Sequence, residues 1–165
     1  MSDRTSHWRV LWSPAGAGHA LFMVGRLTDQ KVRIYSDNIA VARWLQRTIE
    51  AVLFADFANT DIPVTAAAFD RFGDGHSNAV EVIESDDEII RMTWYDMIEP
   101  FVVNAPPGTA GRPIGVFTTF FPAQSAQLSV NDRVATGTPW SEMREDRQSS
   151  SAVLAWSETW VAPRD

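Results

Sequence analysis

Residues 7–24 read HWRVLWSPAGAGHALFMV, and their patterning decides the fold class. From His7 to Trp12 the side chains alternate, with Trp8, Val10 and Trp12 on one face and Arg9 and Leu11 on the other. This period of two belongs to a β-strand. Ser13 to Gly18 supplies proline and two glycines for a turn, and Ala20 to Val24 forms the returning strand of a hairpin. After Thr28-Asp29-Gln30, Val32 to Tyr35 reads as a third short strand.

The pattern then switches. Ser36-Asp37-Asn38 offers N-cap side chains, and Val41, Trp44, Leu45, Ile49, Val52 and Leu53 recur at helical spacing, predicting an amphipathic helix at about 39–54. Strands return with 62–69, 79–84 and 88–96, the last two forming a second hairpin. They continue with 116–121, 126–130 and 153–161. The stretches 97–115 and 131–151 read as long irregular loops, either lids or disordered segments. One helix among about nine hairpin-connected strands predicts an α+β fold, mainly antiparallel β. It takes the form of a curved sheet or a lipocalin-like barrel with the helix packed on it. No linker or repeat divides the chain, so 1–165 is read as a single domain.

Composition excludes several functions. The chain of 165 residues has no cysteine, which removes disulfides, thiolate catalysis and Cys-ligated metals. A formal net charge of −7 and the lack of any Lys/Arg cluster argue against nucleic acid as a partner. Lys31, the only lysine, leaves one place for Schiff-base chemistry. No apolar run approaches the ~20 residues of a membrane-spanning helix. Residues 1–9 lack the basic-then-apolar order of a secretory signal, so a cytoplasmic protein without a membrane partner is expected. His7, His19 and His76 show no HxH or HExxH spacing. His7 and His19 could approach across the first hairpin, but no metal and no cofactor is expected. The serine-hydrolase elbow, the phosphate loop and the dinucleotide-binding glycine motif are all absent. The segment Asp74-Gly75-His76-Ser77-Asn78 faintly resembles a calcium loop, yet Asp-Gly is a turn signal and a turn is expected.

Seven tryptophans and nine phenylalanines suit either a large core or an aromatic-lined pocket. On the last strand, Leu154, Trp156, Glu158 and Trp160 share one face by alternation. If that face points into a barrel, Glu158 becomes a carboxylate between two indoles, with a raised pKa suited to a general acid or base. Asp96, at the end of a strand beside Tyr95 and Glu99, is the second candidate catalytic carboxylate, or else a turn-forming residue. If Asp96 and Glu158 meet, they could divide acid and base roles.

The expected partner is a small apolar or aromatic molecule, held by Trp94, Tyr95, Trp140, Trp156, Trp160 and Phe120, with Phe117 and Phe121 nearby. An anionic group on it would pair with Arg91 or Arg112. A binding barrel is the first functional reading. A cofactor-free hydratase, isomerase, cyclase or hydrolase using Glu158 or Asp96 is the second. A homodimeric interaction module with an exposed aromatic face is the third.

Overall fold

The structure, a computed structural model, describes residues 2–164. Thirteen strands are present among them: β1 (Arg4–Trp12), β2 (Gly18–Val24), β3 (Arg33–Ser36), β4 (Val64–Ala66), β5 (Ala68–Phe72), β6 (Asn78–Glu84), β7 (Ile89–Met97), β8 (Phe101–Ala105), β9 (Gly115–Val130), β10 (Arg133–Val134), β11 (Ser141–Arg144), β12 (Arg147–Ser150) and β13 (Ala152–Val161). Eleven of them form one sheet, along the path β4-β3-β2-β1-β13-β9-β7-β6-β5, with β8 and β10 attached to β9. The path ends at β4 and β5, which are separated in sequence by Ala67 alone. Two ends of a sheet joined by one residue force it to curl upon itself, giving a nearly closed, barrel-shaped sheet with little exposed edge.

Most ladders are antiparallel, but β1 pairs with β13 and β3 with β4 in parallel. The second of these is a strand–helix–strand crossover. Its helix runs as an α segment, α1 (Ile39–Leu45), a π turn (Gln46–Glu50) and a last α turn, α2 (Ala51–Leu53). The Asn38 side chain caps it by accepting from the Ala40 N–H at 3.1 Å. The π turn brings two buried polar residues to the inner side. Gln46 Nε2 donates to the carbonyls of Phe57 and Asn59, each at 2.9 Å, and fixes the chain that leaves the helix. Glu50 accepts from the Ser6 hydroxyl and from Trp8 Nε1 on β1.

Two apolar cores result from strand alternation. On β2, Ala20, Phe22 and Val24 face the helix with Val41, Leu45, Ile49, Phe57 and Trp160. Leu21 and Met23 face the barrel interior with Tyr35, Ile83, Ile90, Trp94 and Leu154. Across that interior, the Tyr35 hydroxyl donates to Glu88 at 2.5 Å and Arg33 pairs with the same carboxylate, tying β3 to the start of β7.

Three sequence expectations change. The strands read at 116–121 and 126–130 are one bent strand, β9, whose first half pairs with β13 and β8 and whose second half pairs with β7. The strand read at 62–69 divides at Ala67 into the two closing strands. The stretches 97–115 and 131–151 are not irregular throughout. The first contains β8. The second contains the β11–β12 hairpin, which lies against β8 and β9 through Arg147 over Phe101 and Arg144 over Phe120, each at 5.4 Å.

Candidate functional site

The interior of a barrel this size is usually apolar, but here a group of charged side chains is folded into it. β5 and β6 pair with Arg71 directly opposite Glu81. Alternation on β6 puts Glu81 in line with the buried Ala79 and Ile83, while alternation on β5 turns Phe69 and Arg71 inward and leaves Asp70 exposed. The Arg71 and Glu81 side chains are 7% and 2% exposed and form an ion pair through Arg71 Nε. Arg71 Nη1 also donates to the Trp156 carbonyl, and the guanidinium lies 4.6 Å over the Trp156 ring. Its Nη2 is buried with no partner among the described residues.

β1 and β2 supply the opposite wall. His7 Nε2 lies 3.7 Å from Glu81 Oε2, with the imidazole 4% exposed. Arg9 pairs across the ladder with His19. His19 stacks on Phe69 at 5.1 Å, and His7 meets the same ring at 6.0 Å. Asp37 holds His19, accepting from its backbone N–H and contacting Nδ1, both at 2.7 Å. Together Arg9, His19, Phe69, Asp70, Arg71, Gly73, Glu81 and Trp156 line a cleft of about 350 Å³.

Glu158 lies at the β1–β13 junction behind this cleft. Pairing of β1 with β13 starts only at Val10, and the Glu158 carboxylate accepts the Arg9 N–H at 2.9 Å where the ladder gives no acceptor. The residue is 1% exposed, and its Oε1 has no partner among the described residues.

Burial dominates the protonation of this group. It raises the Glu158 carboxyl well above its ordinary value, against the Arg9 N–H and the Arg71 charge, which pull it down. Burial also raises Glu81, opposed by its bonded Arg71, and lowers Arg71, opposed by Glu81. His7 is lowered to about 3, by burial first and the Arg71 charge second, so it is a neutral imidazole at neutral pH. Arg71 is matched by Glu81, whereas the guanidinium of Arg9, which lines the same cleft, is not bonded to a carboxylate. It makes no hydrogen bond or ion pair with a described side chain.

The residues singled out from the sequence are dispersed. Trp156 and Trp160 do not share a face. A bulge sets Trp156 and Ser157 opposite the single residue Thr119, because Ala155 pairs with Phe120 and Glu158 with Thr118. Trp156 therefore faces the interior against Phe121 at 5.2 Å, whereas Trp160 packs with Trp8 and Trp44 beneath the helix, at 5.8 and 5.7 Å. Asp96 is exposed, has a φ of 54° at a position where the β7–β9 ladder skips a pair, and accepts from the Ser125 hydroxyl at 2.7 Å. It does not line the cleft with Glu81, and Glu158 is sealed behind the wall, so the sequence-derived acid/base pair is not assembled. Arg91 and Arg112 are exposed and outside the cleft, as is Tyr95. Phe120 packs edge-on to Phe101 at 5.6 Å.

Trp94 and Trp140 line a second, lateral cleft of about 230 Å³, where the first half of β1 has no β13 partner. Trp140 is 60% exposed, and His7, the neighbour of Glu81, also lines this cleft. His7 and His19 do come to the same aromatic ring, but no cluster of three metal-ligating side chains occurs among the described residues. Asp74 forms the expected turn, accepting from the His76 and Ser77 N–H groups at 2.8 and 2.9 Å. No described helix is long and apolar enough to cross a membrane.

Arg9, His19, Phe69, Arg71 and Glu81 were not recognised as a group from the sequence. The signal was the charged Glu81 within the apolar stripe Ala79–Ile83, together with the register of the β5–β6 hairpin. Comparison of the chain with protein-family models, curated proteins and solved structures finds no significant match.

Proposed function

We propose that the protein is a small-molecule-binding barrel whose ligand occupies the cleft bounded by Arg9, His19, Phe69, Arg71, Glu81 and Trp156. One observation carries this reading: a concave site opens onto polar groups that the fold leaves unpaired, the Arg9 guanidinium and Arg71 Nη2. The buried Arg71 Nη2 without a partner costs about 1–3 kcal/mol, which a ligand that satisfies it recovers, and the half-buried Arg9 guanidinium offers further charged donors. Aromatic walls and a few convergent polar groups are the general chemistry of small-molecule sites. A fragment screen followed by amide chemical-shift mapping tests it. Hits should perturb β1, β5, β6 and β13 around these residues. Hits confined to the outer face of the sheet would remove the proposal.

A second reading, acid–base catalysis without a cofactor, draws on the Glu158 carboxyl. Burial raises its pKa in the direction a proton donor needs, and Glu81 at the cleft wall is the group nearer a ligand. In this reading Glu158→Gln keeps ligand affinity within a few-fold and abolishes turnover. Parallel loss of both would mean that Glu158 only supports the wall.

A further inference from the structure

We infer that the ligand of this cleft is a small planar aromatic carboxylate, its acid group on the Arg9 guanidinium and its ring against Phe69 and Trp156; this rests on the cleft being the ligand site. The pairing pattern supports an anion at Arg9. Glu81 binds Arg71 and Asp37 binds His19, while Asp70, which also lines the cleft from the exposed positions of β5, forms no ion pair with Arg9 among the described residues. Arg9 and Arg71 both line the cleft, yet only Arg71 has a carboxylate of its own.

A planar guanidinium fork matches a carboxylate in two parallel hydrogen bonds, and the unpaired Arg71 Nη2 adds a further N–H. The space of about 350 Å³ has room for one or two fused rings. Phe69 and Trp156 both line the cleft and give it an apolar wall that suits an aromatic body.

The test is isothermal titration of the full chain with 2-naphthoate and with 2-naphthalenemethanol, which keeps the ring and lacks the charge. The acid should bind at least about tenfold more tightly than the alcohol, as expected for a charge-assisted bidentate contact. Arg9→Gln should abolish that preference while leaving the alcohol's affinity in place. The Arg9 side chain has no structural partner and its N–H bond to Glu158 is retained, so this variant should fold normally. Equal binding of the two probes by the wild type, or an acid preference that survives Arg9→Gln, overturns the carboxylate inference and leaves the cleft as a ligand site. Binding of neither probe overturns the inference as well, and the fragment mapping then decides separately whether the cleft binds anything.

Discussion

Replacing Arg71 by methionine should expose the energetics of the buried charge cluster. The substitution keeps an unbranched apolar stem in place but leaves Glu81, 2% exposed, without its bonded counter-charge. Removing one partner of a buried ion pair costs about 3–5 kcal/mol, and loss of the stacking on Trp156 adds roughly 0.5–2 kcal/mol.

The effect should depend on pH. The folded-state pKa of Glu81 is already raised by burial, and removal of Arg71 raises it further. A carboxyl whose folded pKa is raised contributes stability that is fully present below its unfolded value of about 4.3 and is lost as pH rises through the folded value. The cost of Arg71→Met relative to wild type should therefore be smallest near pH 4 and largest above pH 7. Urea denaturation from pH 4 to 8 reads this directly, and Arg71→Met/Glu81→Gln should recover most of the loss at pH 7.5. A cost below about 1 kcal/mol at pH 7.5, or a double variant no more stable than the single one, would refute the reasoning; the first is the size of an exposed pair.

His7 gives the opposite pH dependence. Its folded pKa of about 3 lies below the ordinary 6.5, so its contribution is present above pH 6.5 and fades as pH falls towards 3. By pH 4 this amounts to roughly 3 kcal/mol. His7→Phe should therefore gain on the wild type by about that much between pH 7 and 4, and a difference independent of pH would contradict it. Gly75, at φ +76°, lies where an added Cβ would meet Trp156 Cζ3 at 2.9 Å and Phe121 at 3.1 Å. Gly75→Ala should cost roughly 1–3 kcal/mol and alter the near-ultraviolet circular dichroism of Trp156. Unchanged melting and spectrum would mean that this turn does not buttress the cleft wall.

The helix and the hairpins were legible because their signals are local. Asn38 caps a run with clean helical periodicity, and Ser13 to Gly18 can hardly be anything but a turn. The parallel pairings were not legible, since β1 meets β13 only through the closure of the whole sheet. Closure itself turns on Ala67, which lies inside what reads as one continuous strand. The Trp156-Glu158-Trp160 reading failed in its geometry for a specific reason. A bulge adds one residue and reverses the alternation, and no residue from 155 to 158 is a glycine or proline that would advertise it. Glu158 is buried all the same, at a strand junction rather than between two indoles. The cleft was hidden in another way. Arg71 and Glu81 read as ordinary charges until their hairpin register sets them face to face inside the barrel.

The most direct test of a ligand site inside the barrel is a crystal structure of the protein soaked with a mixture of neutral and acidic aromatic fragments. The account predicts fragment density in the cleft, in contact with Arg9 and Arg71 and packed on Phe69 or Trp156. A cleft holding only ordered water, with fragments bound solely on the outer surface, would contradict it.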